Sequence, residues 1–140
     1  MKFSFITCTY NRSKLLRKNI ESVIKNKFKK FEHFVVDDGS TDDTLDVIKK
    51  YNHIKLIKLK KNYGQPGAMY HSKVLSKVSG DYIILLDSDD YLLPNVKKKI
   101  ISTISKHKKA WSFSFNILSK NRKNLGFKKK EINSKFLYHD

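Results

Sequence analysis

The sequence predicts a doubly wound α/β fold, a mostly parallel sheet with helices on both faces. Three observations point to it. Short runs rich in Phe, Val and Ile alternate with longer runs whose apolar residues recur at helical spacing, giving the order β-α-β-α-β-α-β-α. The run Tyr82 to Leu86 is apolar throughout, as expected of a strand at the centre of a parallel sheet. Polar clusters follow three of the strands, at Cys8 to Asn11, Asp37 to Ser40 and Asp87 to Asp90. Doubly wound sheets bind ligands at those strand ends.

Phe3 to Thr7 reads as the first strand, and Asn11-Arg12-Ser13 breaks it. Leu16, Ile20, Val23 and Ile24 then mark a helix with Ser13 as its cap. Glu32 to Val36 is the second strand. Ser40 followed by Asp43 has capping-box spacing before a helix carrying Leu45, Ile48 and Tyr51. Ile54 to Leu59 is the third strand. Asn62 to Gly67 reads as a turn-rich loop, and a helix from about Ala68 to Val78 buries Val74, Leu75 and Val78 and ends at Gly80. After the fourth strand, Tyr82 to Leu86, Pro94 suits the first turn of a helix with the inner stripe Val96, Ile100, Ile101 and Ile104. Beyond His107 the pattern weakens, with a candidate strand at Trp111 to Leu118 and a turn at Asn121 to Gly126. The expected organisation is an α/β domain over residues 1–110 and a partial continuation with a basic tail over 111–140.

Composition narrows the function classes. The 39% hydrophobic content suits a folded domain, and no apolar run is long enough to cross a bilayer. The start of the chain lacks a full signal-peptide core, so the expected location is cytoplasmic, including the inner face of the membrane. Cys8 is the only cysteine, which excludes an internal disulfide and disfavours a cysteine-based zinc site. The formal charge of +17 is uneven: residues 91–140 hold 13 Lys/Arg against 2 Asp/Glu. Such a surface attracts nucleic acid, anionic lipid or phosphorylated small molecules. With no zinc-finger spacing, RNP-like aromatic run or Gly-x-x-Gly loop, dedicated nucleic-acid binding is not expected. The basic tail fits peripheral contact with anionic membrane, and equally an ordinary solvated surface.

Asp87-Ser88-Asp89 is the sharpest chemical feature. Where the chain curls at a strand end, both carboxylates can face one ligand, and Mg²⁺ or Mn²⁺ prefers such oxygens. Three carboxylates within four residues repel unless something positive sits among them. A solvated turn with Asp capping the next helix is the other reading. Asp37-Asp38-Gly39-Ser40 likewise serves either as a ligand loop, with Gly39 permitting a tight turn and Asp38 accepting hydrogen bonds from a base or ribose, or as a helix cap. Thr9-Tyr10-Asn11 has no Gly-x-Gly-x-x-Gly, which disfavours a dinucleotide or ATP fold.

Four segments in order resemble the N-terminal part of family 2 glycosyltransferases, an inverting group with the GT-A (nucleotide-diphospho-sugar transferase) fold. They are Phe3 to Arg12, Val35 to Asp42, Asn62-Tyr63-Gly64 and Gly80 to Asp90, and Pro94 also matches. The resemblance spans residues 3 to about 105. It implies that Tyr10 borders the donor base, with Cys8 near the same base where members usually have Pro or Thr. It implies that Asp38 reads the base, uracil in a typical member, while Asp37 supports its loop. Asp87 would contact the ribose or sugar side, and Asp89 the Mn²⁺ or Mg²⁺ that bridges the diphosphate.

The implied function is metal-dependent transfer, with inversion, from a nucleotide-sugar (a UDP-sugar first among them) to a glycan or lipid-linked acceptor, as in cell-surface polysaccharide synthesis. Two departures qualify it. Many members have Ala-Arg-Asn where this chain has Ala68-Met69-Tyr70, which leaves His71 or Lys73 as the candidates to face phosphate. Residues 106–140 hold only Glu131 and Asp140 as carboxylates, so no catalytic base is assigned, and the chain is expected to be a truncated product, an expressed fragment or a divergent short member, a donor-binding part that transfers slowly or not at all. The alternatives are a catalytically inactive nucleotide-sugar-binding protein and a sugar nucleotidyltransferase. The absence of glycine from Thr7 to Arg12 argues against the latter.

Overall fold

A computed structural model describes residues 1–69 and 71–107. The chain divides into two compact units, Met1–Thr103 and Ile104–Asp140. Of the second, only the last helical residues and His107 are described. The candidate strand at Trp111 to Leu118 and the turn after it lie outside the described residues.

The elements run β1 (Phe3–Thr9), α1 (Ser13–Lys25), β2 (Phe31–Asp37), α2 (Thr44–Lys49), β3 (Ile54–Lys58), α3 (Gly64–Met69), α4 (Ser72–Leu75), β4 (Tyr82–Leu85) and α5 (Val96–Lys106). The four strands form one sheet in the order β3-β2-β1-β4, with every pairing parallel. Phe3 pairs with Phe31 on one side of β1 and with Tyr82 on the other. The chain therefore steps outward from β1 to β3 and then returns to the far side of β1. That reversal opens a crevice at the C-terminal ends of β1 and β4.

Alternation along the strands builds two cores. Ile6, Cys8, Phe34, Val36 and Ile57 point to one face and meet Ala68 of α3 and Val74 of α4. Val35 points to the other and meets Leu16 and Ile20 of α1 and Ile48 of α2. Full burial of side chains such as Phe5 and Phe34 contributes about 1.5–3 kcal/mol each. At the N-terminal end of the sheet the buried Glu32 gathers Lys2, Lys55, Ser4 and Ser79. Burial alone would raise its carboxyl, but the hydrogen bonds from Lys55 and Ser4 outweigh it and hold the group far below the usual range.

Several local expectations change. Arg12, not Ser13, stands at the cap position of α1, and no side-chain cap bond forms. Ser40 makes no capping box: α2 starts at Thr44 after Asp43, and the Ser40 hydroxyl accepts the Asn11 N–H at 3.0 Å instead. Gly64 to Gly67, expected to be loop, is helical, and of the helix expected from Ala68 to Val78 the end of α3 at Met69 and the short α4, Ser72–Leu75, are present. Tertiary packing of Ala68 and Val74 on the sheet overrides the local glycine signal. Gly80 ends no helix; it lies where β1 passes so closely that a Cβ would collide with Ser4. Pro94 precedes α5 rather than opening it. Ile24, Leu75 and Ile101 are exposed, because each falls at the margin of its helical stripe. Among the described residues β4 is an edge strand, with Ile83 and Leu85 exposed on one face rather than buried at a sheet centre.

Candidate functional site

The C-terminal ends of β1, β2 and β4 converge on one cleft of about 190 Å³. β1 supplies Cys8 and Thr9, continued by Tyr10 and Arg12. Asp38 follows β2, Asn62, Gly64 and Gln65 follow β3, and Asp87, Ser88 and Asp89 follow β4. All five site residues expected from the sequence, Cys8, Tyr10, Asp38, Asp87 and Asp89, line this cleft.

The first wall is a pair of loops stitched together. Asn11 adopts a positive φ of 50°, a conformation Asn tolerates better than most residues. In that pose its side-chain oxygen accepts the Thr41 N–H at 2.8 Å and the Asp42 N–H at 3.3 Å. The next N–H, of Arg12, donates to the Thr44 hydroxyl at 3.1 Å. Gly39 takes φ 85°, which lets the chain turn directly after Asp38. Asp37 is fully buried and accepts the Ser40 N–H at 3.2 Å, so it braces the loop. Asp38 is nearly buried. One of its oxygens accepts the Tyr63 N–H at 2.8 Å, and its own N–H bonds the Thr9 carbonyl at 2.9 Å. Cys8 is also buried, and burial first, with the Asp38 and Asp87 charges adding, pushes its thiol up to about 12. It stays neutral and acts as a small apolar wall. Tyr10, also in the lining, is 44% exposed.

The opposite wall is the Asp87 to Asp90 turn. The Asp90 N–H bonds the Asp87 carbonyl at 2.9 Å, so the chain curls and Asp87 and Asp89 both reach the cleft. Burial, and then the charges of Asp89 and Asp87, raise the Asp90 carboxyl. The turn is held from α1. The Asn19 amide donates to the carbonyls of Asp87 at 2.8 Å and Asp90 at 3.0 Å. One helical turn on, the Ser22 hydroxyl accepts the Leu92 N–H at 2.9 Å, and the Asn26 amide donates to the Leu93 carbonyl at 3.1 Å.

Behind Asn19 the contacts continue into the sheet. The Thr7 hydroxyl donates to the Asn19 side-chain oxygen at 3.2 Å and lies 3.0 Å from His33 Nε2. With its one proton on Asn19, Thr7 accepts from Nε2–H, which leaves His33 Nδ1 a bare acceptor without a partner among the described residues. His33 is thus neutral. Burial, and secondarily the charge of His53, bring its pKa down to about 3.

Three residues of this site are not among those that the sequence singles out. Arg12 forms an ion pair with Asp89 and is the positive group among the clustered carboxylates. Gln65 donates to Asp87. Asn19 fixes the turn. Asn19, Ser22 and Asn26 stand three and four residues apart, which is a helical stripe, and that spacing was the signal available. His71 and Lys73 do not line the cleft. The His71 Nδ1 instead accepts the Lys73 N–H at 3.2 Å.

Among the described residues, no three His, Cys, Asp or Glu side chains are grouped to hold a metal by themselves. Asp89 nevertheless fits a hard cation: its carboxylate is half-exposed in the cleft and already attracts the Arg12 guanidinium. Mg²⁺ is commonly held by one or two carboxylates with substrate phosphates and water completing its shell.

The family model Glycosyl transferase family 2 matches residues 4–138. The chain is 38% identical over 112 residues to the poly(ribitol-phosphate) beta-N-acetylglucosaminyltransferase TarS of Staphylococcus aureus, covering 76% of this chain and 19% of TarS. It is 33% identical over 111 residues to the UDP-Glc:alpha-D-GlcNAc-diphosphoundecaprenol beta-1,3-glucosyltransferase WfaP of Escherichia coli, covering 79% of this chain and 44% of WfaP. The chain thus spans from about a fifth to less than half of these relatives' lengths. The crystal structure of S. aureus TarS 1-349 in complex with UDP superposes with a TM-score of 0.69 at 37% identity, covering 77% of this chain and 33% of that one. A mannosyltransferase from Pyrobaculum calidifontis, solved with GDP-Man and Mn²⁺, shares the fold at a TM-score of 0.62 and 20% identity, over 69% of this chain and 30% of that one. Sequence and fold agree that this chain belongs to glycosyl transferase family 2.

Proposed function

We propose that this chain carries the donor-binding part of a metal-dependent, inverting glycosyltransferase that takes a UDP-sugar and serves a glycan or lipid-linked acceptor. The observation that carries the reading is the polarity of the cleft. Asp38, nearly buried, follows β2 on one side of β1, Asp87 and Asp89 follow β4 on the other, and Tyr10 continues β1. One end suits a nucleobase: Tyr10 offers a ring to stack on, and the Asp38 oxygen not held by Tyr63 can accept a ring N–H. The other end faces the diphosphate. Three carboxylates against one guanidinium would repel a diphosphate unless a further cation accompanied it.

Asp89, with Asp87 beside it, would hold that cation. The chemistry a bound Mg²⁺ or Mn²⁺ supplies there is neutralisation of charge on the departing diphosphate. Asp38, Asp87 and Asp89 are the carboxylates that line the cleft, and each has a part on the donor side. The group that takes the acceptor's proton is therefore assigned outside this lining. TarS has been solved with UDP and with UDP-GlcNAc, which favours uracil as the base. WfaP, by its name, acts on a diphosphoundecaprenol-linked sugar, which favours a lipid-linked acceptor. The excess of Lys and Arg in residues 91–140 suits peripheral contact with anionic membrane at its cytoplasmic face.

Calorimetric titration of the chain with UDP tests this reading. UDP should bind more tightly with Mn²⁺ than with EDTA. Asp38→Ala should weaken binding by about tenfold or more with metal present, the cost of one hydrogen bond to a buried charged acceptor. UDP affinity indifferent both to EDTA and to Asp38→Ala would refute it.

A further inference from the structure

Among the described residues, Arg12 is the one basic side chain lining the cleft, and its backbone is held there. Its N–H is bound to the Thr44 hydroxyl, and its carbonyl accepts the Leu16 N–H at 2.9 Å as α1 begins. The residue before it, Asn11, is clamped by Ser40 and Thr41. The backbone of Arg12 is thus fixed from both sides, while its side chain remains 44% exposed and ends on Asp89, itself 50% exposed. Nη1 engages Oδ2, one of the two carboxylate oxygens that Asp89 could offer to a divalent cation.

We propose that Arg12 is a resident cation of the diphosphate end of the cleft, which neutralises Asp89 before the donor binds and exchanges that carboxylate for a phosphate oxygen of the donor when metal and nucleotide enter. The inference rests on the nucleotide-sugar reading of the cleft. Three physical facts favour the exchange. An ion pair this exposed is weak, so giving it up costs little. A cation held at Asp89 would repel a guanidinium on the same oxygen, which would release the Arg12 side chain. The planar fork of arginine matches phosphate oxygens, and with its backbone pinned the released guanidinium stays within reach of an anion in the same cleft. Arg12 is therefore a binding residue for the donor and, without donor, a competitor of the metal.

Those two roles predict effects of opposite sign from one substitution. In the full 140-residue chain, Arg12→Gln should bind Mn²⁺ alone about two- to fivefold more tightly, because the competing ion pair is gone. The same variant should bind UDP, at saturating Mn²⁺, about tenfold more weakly, because a charge-assisted hydrogen bond to phosphate is lost. Uridine, which has no phosphate, should bind as it does to the parent. Arg12→Lys keeps the charge without the fork. It should leave Mn²⁺ affinity near the parent value and weaken UDP less than Gln does, and it serves as the measured variant should Arg12→Gln not fold.

Unchanged or weaker Mn²⁺ binding in Arg12→Gln would overturn the proposal, as would equal losses for uridine and UDP. If the parent chain binds UDP with Mn²⁺ and Arg12→Gln matches it, the exchange fails while the donor reading stands. If the parent binds neither, both fail.

Discussion

Neutral His33 links the sheet interior to the cleft through Thr7 and Asn19, and its protonation state has a measurable consequence. Its pKa lies at about 3 in the fold against 6.5 for an unperturbed histidine. The unfolded chain therefore binds a proton first as pH falls, and folding stability is lost from about pH 6.5 downward. His53, also lowered by burial, adds in the same direction. Glu32 acts in a different window. Its lowered carboxyl contributes stability that is present above the unfolded value of 4.5 and is lost below it. Urea denaturation at pH 7 and pH 5 separates the histidines from the carboxylate. The parent chain should have a lower midpoint at pH 5, and His33→Gln should show a smaller drop between the two.

At the same scale, the positions of Asp38, Asp87 and Asp89 were legible because each directly follows an apolar strand. Arg12 was not. Nothing local to Asn11-Arg12-Ser13 says that its side chain crosses to a turn 77 positions away, since the ion pair depends on β1 and β4 being neighbours.

Among the elements, α1 shows how a helix can be both core and scaffold. Leu16 and Ile20 face the sheet, while Asn19, Ser22 and Asn26 hold the backbone of residues 87–93. Asn19 gives two hydrogen bonds to carbonyls and takes one from Thr7, so it sets the height of the Asp87 to Asp90 turn. Asn19→Ala should destabilise the chain by about 1–3 kcal/mol, because buried polar groups lose their partners. It should also weaken Mn²⁺-dependent UDP binding while leaving uridine binding near the parent value. Chemical denaturation and calorimetry read the two effects separately, and equal weakening of uridine and UDP would contradict a role confined to the turn.

The period of apolar residues identified α1 and the four strands well. It misjudged α3 and α4, where glycines read as loop, and the setting of β4. A short apolar run carries no record of how many neighbours its strand will have, so the exposure of Ile83 and Leu85 could not be foreseen from it.

For the molecule as a whole, strand order decides where chemistry is possible. Because β1 lies between β2 and β4, the ends of three strands meet, and residues from Cys8 to Asp89 share one cleft. The opposite end of the sheet is closed by Glu32 and its partners and by the packing of Phe3 and Phe5 on Phe28. Order and alternation of elements made the architecture legible, but the partition of charge across the cleft needed the fold. The central claim is that the two ends of that cleft take a base and a metal-bound diphosphate.

A crystal structure of the chain with UDP and MnCl₂, with anomalous diffraction recorded at the manganese edge, tests that claim most directly. The account predicts an anomalous peak within coordination distance of Asp89, with uracil against Tyr10 and its ring N–H on Asp38. UDP bound with its uracil away from Asp38, or manganese bound elsewhere than at Asp87 and Asp89, would contradict it.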